Sequence, residues 1–257
     1  KSICFQVPAL MKEGICIVVT PLISLMKDQV DNLNRRGIKA RALFSGMSKK
    51  EIDVTLDNCI YGDVKFLYVA PERLKTEVFQ ARSAQMNINL LAVDEAHCIS
   101  QWGYDFRPSY LDIDNFRKGI NSVPCIALTA TATPEVQRDI VEKLALKSPT
   151  IIKGSFQRSK LSFSVRRVSD KDHKLLDILS KVKGSAIIYV NSRKGAKDLS
   201  VWLNHNNVSA DFYHAGLNHD SRQRKQEEWQ MNLTRVMVST NAFGMGIDKP
   251  DVRLVIH

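Results

Sequence analysis

Residues 90–110 read Leu90-Leu91-Ala92-Val93-Asp94-Glu95-Ala96-His97-Cys98-Ile99-Ser100-Gln101-Trp102-Gly103-Tyr104-Asp105-Phe106-Arg107-Pro108-Ser109-Tyr110. Four apolar residues in succession mark a strand buried on both faces, and the polar run begins where such a strand leaves a parallel sheet. Open α/β sheets bind ligands at that carboxyl edge. An acidic pair placed there suits a nucleotide's metal, with Asp94 holding hydrated Mg²⁺ and Glu95 polarising the water that attacks a γ-phosphate. The loop that follows carries three aromatic rings and Arg107, offering stacking faces and a cation to a nucleic acid strand. Taken alone, Asp94-Glu95 could instead cap the next helix and the aromatics could fill a core, so the flanking chain has to decide.

Working outward, apolar strands recur at Ile15 to Val19, Lys39 to Phe44, Lys65 to Ala70 and Pro124 to Leu128. Between the first two, Leu22, Leu25, Met26, Val30 and Leu33 repeat at helical spacing as far as Arg36, and Gly37 suits the helix end. Strands alternating with helices argue for right-handed βαβ units around a parallel sheet. After the strand at 124–128 comes Thr129-Ala130-Thr131-Ala132-Thr133-Pro134, whose hydroxyls lie at the carboxyl edge within reach of the acidic pair or a neighbouring domain. Thr133-Pro134 is also a good start for a helix over 135–146. The texture changes between Lys147 and Arg167, and the domain joint is placed there, with a first domain at 1–150 and a second at 163–257. The second half repeats the architecture: strands at 186–190, 211–213, 235–239 and 252–256, and helices over 193–206 and 220–230. Trp202, Phe212, Tyr213 and Trp229 read as core or helix-face packing. Arg222-Gln223-Arg224-Lys225 reads as a solvated helix face, and His214 with Gly216 as either functional or a turn.

At 257 residues two domains are the natural expectation, and 44% hydrophobic with 25% charged residues is ordinary for a globular chain. A net charge of +10 points to a polyanionic partner, since each phosphate neutralised by Lys or Arg releases counterions. The five cysteines are scattered without a C-x-x-C pair, and so read as reduced, mostly buried thiols. No apolar run approaches membrane-spanning length and no signal-peptide layout opens the chain.

With these pieces in order the sequence closely resembles the RecQ family of DNA helicases, within the two-domain superfamily-two helicases. The resemblance rests on Thr20 to Val30, Tyr68 to Leu74, Asp94-Glu95-Ala96-His97, Ala127 to Thr133 and Ala242 to Arg253. The loop from Gln101 to Pro108 is its family-specific piece and the reason DNA is favoured over RNA. It implies an α/β fold of two RecA-like parallel-sheet domains in tandem, both incomplete at the chain ends. It also implies an ATP-dependent motor that moves 3′ to 5′ on single-stranded DNA and unwinds forked DNA in repair or recombination. ATP and Mg²⁺ would serve it, with zinc only in an accessory domain outside this chain, and a bacterial cytoplasm or nucleoid would house it.

Carried over residue by residue, Lys1 and Ser2 would bind the phosphates and Mg²⁺, Asp94 the metal and Glu95 the attacking water. His97 and Gln101 would link the nucleotide site to the neighbouring domain and to DNA. Trp102, Phe106 and Arg107 would couple strand binding to hydrolysis. Thr20, Lys27, Arg73, Ser192 and Arg193 would touch the DNA backbone, and Gly246 with Asp248 would lie where the second domain meets the nucleotide. Three departures temper this. Lys1-Ser2 looks like the cut end of a G-x-x-x-x-G-K-[ST] loop whose glycines are missing, no Q-x-x-G-R-x-G-R run follows His257, and Phe156-Gln157-Arg158-Ser159 differs from the family's F-D-R-P joint. The 257 residues alone are therefore expected to bind DNA weakly and hydrolyse little ATP. An RNA helicase, a translocase that does not unwind, and a catalytically inactive nucleic-acid-binding module are the alternatives left standing.

Overall fold

The structure is a computed structural model and describes residues 1–103, 105–120, 123–154, 159–244 and 249–257. Two compact units divide the chain, Lys1–Lys153 and Gly154–His257.

In the first unit the elements run α1 (Ile3–Leu10), β1 (Ile15–Val19), α2 (Ile23–Arg35), β2 (Ala40–Leu43), α3 (Lys49–Tyr61), β3 (Phe66–Val69), α4 (Glu77–Ser83), β4 (Ile88–Val93), α5 (Asp112–Gly119), β5 (Cys125–Ala127) and α6 (Pro134–Lys143). The strands pair in parallel in the order β2-β3-β1-β4-β5. Because successive side chains point to opposite faces, each strand feeds two cores. Ile17, Val19, Leu67, Val69, Leu91 and Val93 face α3 to α6, meeting Leu56, Phe79, Ile113, Phe116, Val136 and Ile140. Cys16, Val18, Phe66, Tyr68, Leu90 and Ala92 face α1 and α2, meeting Phe5, Met26, Val30 and Leu33. Helices thus cover both faces, which is why these strands read as unbroken apolar runs. Local signals agree with this layout: Ser48 and Glu51 form a reciprocal capping box on α3, and Thr133 caps α6 through the Val136 amide.

In the second unit α7 (Lys171–Lys181), β6 (Ser185–Tyr189), α8 (Arg193–His205), β7 (Ala210–Tyr213), α9 (His219–Gln230), β8 (Val236–Ser239) and β9 (Val252–Ile256) follow in turn. The sheet is again parallel, in the order β7-β8-β6-β9. Ile188, Val236 and Val238 pack on α7 and α8 through Leu179, Ala196 and Leu203. Ile187, Tyr213 and Met237 pack on Trp229 of α9 and on Phe243. Trp202 and Phe212 lie partly buried against the first of these cores, so all four aromatics serve packing.

The solvated-face reading of Arg222 to Lys225 agrees with exposed Gln223 and Arg224 and is corrected at Lys225. Lys225 is buried; its ammonium pairs with Asp211 and lies 4.1 Å over the Phe212 ring. A long apolar stem lets a lysine cover a core while its charge finds a partner. Cys16, Cys59 and Cys98 are buried free thiols, Cys125 is partly buried and Cys4 exposed. No helix among the described residues is long and apolar enough to cross a membrane.

Candidate functional site

β4 hands Asp94 to the carboxyl edge of the first sheet, between β1 and β5. The Asp94 amide still bonds to Val19 O at 2.8 Å, and the next residue breaks from the strand: Glu95 has φ 46°, in the left-handed region. A non-glycine residue held there costs roughly 1–3 kcal/mol, a strain concentrated at functional sites. The turn is fixed from three sides. The Asp94 carboxylate accepts from the Glu95 amide at 2.9 Å, the Ala96 amide donates to Leu128 O at 2.9 Å, and the buried Tyr110 hydroxyl donates to Asp94 O at 2.9 Å.

This turn brings Glu95 to the Lys1 ammonium at 2.6 Å and to His97 Nδ1 at 3.4 Å. His97 Nδ1 also lies 3.0 Å from the Thr129 hydroxyl. That hydroxyl also lies 3.2 Å from Thr131 O and accepts from the Thr131 amide at 3.1 Å, so His97 joins a polar cluster with the turn at 129–131. The hydroxyl run therefore reaches the acidic pair through His97. Burial and the neighbouring Glu95 raise the Asp94 pKa, a cost that a bound cation would remove. Ser2 opens α1 without using its hydroxyl as a cap, leaving that oxygen available to a ligand. Among the described residues no group of three or more His, Cys, Asp or Glu is placed to hold a metal ion, so a metal at Asp94 would depend on oxygens brought by substrate. That fits Mg²⁺, which is commonly held by one or two carboxylates plus phosphates.

Past a short 3-10 turn (Ala96–Ile99) the aromatic loop begins. Trp102 is 76% exposed, Gln101 is exposed, and Phe106 and Arg107 are half-buried. Arg107 donates to Asp105 at 3.1 and 3.2 Å and to Pro21 O at 3.0 Å, which ties the loop to the residue after Thr20. Gly103 sits where a Cβ would meet His97 O at 2.5 Å and Ser100 O at 3.0 Å. Gly103→Ala is accordingly expected to cost ~1–3 kcal/mol in the first unit by forcing the loop off its base. Urea unfolding followed by β4 amide exchange measures it, and an unchanged midpoint would count against this packing.

The remaining positions fall into two groups. Lys27 lies 5.2 Å over the Phe44 ring and Arg73 donates to Phe44 O at 2.8 and 3.2 Å, so both gather with Arg107 at the ends of β1 and β2. Thr20 is 1% exposed, and its hydroxyl oxygen is buried without a partner. In the second unit Ser192 caps α8 by accepting from the Gly195 amide at 2.9 Å, while exposed Arg193 packs its guanidinium against Gly216, where a Cβ would come within 2.8 Å. His214 stands beside this group with Nδ1 buried and unbonded. Gly246, Asp248 and Tyr104 lie outside the described residues, as do Phe156, Gln157 and Arg158 of the joint. Sequence reading missed Tyr110 as the residue that fixes the acidic turn; its place in an aromatic-rich run was the only signal.

Comparison with known proteins completes the picture. Residues 1–140 match the family model described as DEAD/DEAH box helicase, and residues 170–257 match the helicase conserved C-terminal domain. The chain is 44% identical to an ATP-dependent DNA helicase RecQ of Bacillus subtilis, and 41% identical to one of Pasteurella multocida. It is covered completely in both matches but spans only 44% and 41% of those proteins. Among solved structures, helicase MrfA bound to DNA and AMPPNP aligns over 99% of this chain and 40% of its own, with TM-score 0.75 and 17% identity. Mycobacterium smegmatis helicase Lhr bound to ssDNA and AMP-PNP aligns over 95% and 36%, with TM-score 0.67 and 18% identity. These likenesses show the fold: two parallel-sheet α/β units in tandem, as in those two structures. With that family model over residues 1–140, more than half of its length, and a similarity to RecQ helicases running along all of it, the chain belongs to the DEAD/DEAH box helicases.

Proposed function

We propose that this chain is the ATP-hydrolysing motor of a DNA helicase that moves 3′ to 5′ on single-stranded DNA and opens forked duplexes during repair or recombination. What supports the reading most is the common root of two features: strained Glu95 and exposed Trp102 stand on one uninterrupted stretch, seven residues apart, at the edge of a parallel sheet. A base placed to act on water and a platform placed to stack a nucleotide cannot shift independently there.

In this reading Lys1 and Ser2 receive the phosphates, and Asp94 with Ser2 holds Mg²⁺. The metal, when bound, neutralises charge on the transferring phosphoryl group. Glu95, aimed by its left-handed backbone, takes the proton of the attacking water. His97 meets that carboxylate on one side and Lys1 on the other, and the 129–133 segment reaches it through the contact of Thr129 with His97. Gln101, Trp102, Phe106 and Arg107 meet the DNA strand. Thr20, Lys27 and Arg73 line the neighbouring edge, and Ser192 with Arg193 the second unit's. Gly246 and Asp248 are assigned to the nucleotide on the resemblance alone. Contacts to the phosphate backbone bring tight binding with little sequence reading, which suits a motor. Zinc, if used, belongs to a separate accessory domain, and the DNA of a bacterial cytoplasm or nucleoid is the natural setting.

The full-length protein is expected to hydrolyse ATP strongly only when single-stranded DNA is added, and to displace a strand from a fork with a 3′ tail. Equal turnover without DNA, or preference for an RNA duplex, would overturn the reading. Trp102→Ala should weaken single-stranded DNA binding by about 1–3 kcal/mol, roughly 5- to 150-fold, with the fold intact. Fluorescence anisotropy with a labelled oligonucleotide reads this directly, and wild-type affinity would remove Trp102 from the strand's path.

A further inference from the structure

The aromatic loop has a second anchor that owes nothing to the nucleotide. Ser100, its first residue, is fully buried; its hydroxyl donates to Asp139 Oδ2 at 2.6 Å and accepts from the Trp102 amide at 3.2 Å. Lys143, one turn further along α6, donates to the same Asp139 oxygen at 2.9 Å and to Ile99 O at 3.4 Å. Two donors converge on one carboxylate, and together they hold Asp139 below the ordinary carboxylate range. Charge-assisted bonds of this kind are the short, strong ones.

The other end of α6 is equally committed. Thr133 caps it, Gln137 donates back to Ala132 O at 3.1 Å, and Thr129 at the head of that segment meets His97. Residues 97 to 102 are therefore held at both ends by a single supersecondary piece, residues 129–143. His97 is gripped through Thr129 at its start, and Ser100 and the Trp102 amide through Asp139 in its body.

We propose that Asp139 is a positioning residue: with Ser100 and Lys143 it fixes the aromatic loop to helix α6, so that a strand stacking on Trp102 shifts α6 and, through Thr133 and Thr129, the His97–Glu95 pair. It touches neither nucleotide nor DNA and acts through the two groups it joins. The proposal rests on the reading of this chain as a DNA-driven motor, and its test separates the two. A hydrogen bond to a charged group is worth ~10- to 150-fold in an equilibrium constant.

In the full-length protein, Asp139→Ala and Ser100→Ala are each compared with wild type in DNA-free ATP turnover, DNA-stimulated turnover, and deuterium exchange of the Trp102 amide. Both variants should keep DNA-free turnover and the KM for ATP, lose about tenfold or more of the stimulation by single-stranded DNA, and exchange the Trp102 amide about tenfold faster. Asp139→Asn, which keeps a neutral acceptor for Ser100, should fall between Asp139→Ala and wild type. Wild-type stimulation together with wild-type exchange in Ser100→Ala, which removes one small hydroxyl and should fold, would overturn the proposal. If wild type itself shows no stimulation, the motor reading fails, and the amide exchange alone decides whether Asp139 holds the loop.

Discussion

Glu95→Gln in the full-length protein is expected to lower DNA-stimulated ATP turnover by about 10²–10⁴-fold, the range that a positioned general base contributes. ATP binding should persist. The substitution keeps the side chain's length and hydrogen-bonding shape but removes the charge that Lys1 meets at 2.6 Å and the basicity that takes a proton from water. Three of the supports of the turn do not involve the carboxylate: the Asp94 side chain on the Glu95 amide, the Ala96 amide on Leu128 O, and Tyr110 on Asp94 O. The left-handed backbone at position 95 should survive, and with it the placement of Asp94. Stopped turnover with retained binding of a fluorescent ATP analogue is the signature to look for. Turnover within a few-fold of wild type would take the base away from Glu95, and lost nucleotide binding would mean that the carboxylate holds the site together instead of acting in it.

How much of this was open to sequence reading depends on whether the deciding contacts are local. The apolar run at Leu90 to Val93 announces a buried strand because helices cover both faces of its sheet, and the strands at 15–19 and 66–69 are legible for the same reason. Caps such as Thr133 are local chemistry and can be read directly. The left-handed turn at Glu95 cannot, because no glycine or asparagine marks it; long-range bonds to Leu128 and Tyr110 impose it. The meeting of His97 with Thr129 and of Ser100 with Asp139 follows from β4 and β5 lying side by side, and parallel pairing leaves no local mark on either strand. α9 misleads for a different reason. Its sequence is polar almost all round, so the inward face made by Trp229 and the stem of Lys225 shows no apolar stripe.

That inward face sets the second large effect. Trp229→Ala should destabilise the second unit by ~3–5 kcal/mol, the usual cost of truncating a fully buried aromatic. Trp229 is 0% exposed and packs edge-on to Phe243 at 5.2 Å, and Phe243 in turn lies 4.7 Å from Tyr213. Among the described residues, Ile187 and Met237 are the remaining buried members of this core, with Tyr189 and Val252 partly buried against it, so few described side chains can collapse into the space. The ring also carries Lys249, whose ammonium sits 5.2 Å above it while pairing with Asp251 at 2.8 Å. Removing the indole leaves that buried charge without its aromatic floor. Trp229→Phe should cost distinctly less, since it keeps an aromatic face and deletes an indole N–H that is buried without a partner. Amide exchange of β8 in increasing urea isolates this unit, because the first unit has its own cores and can unfold separately. Exchange in β8 should quicken in Trp229→Ala while β1 and β4 stay protected. A β8 midpoint equal to wild type would show that α9 does not hold this sheet, and would overturn the reading of Trp229 as core.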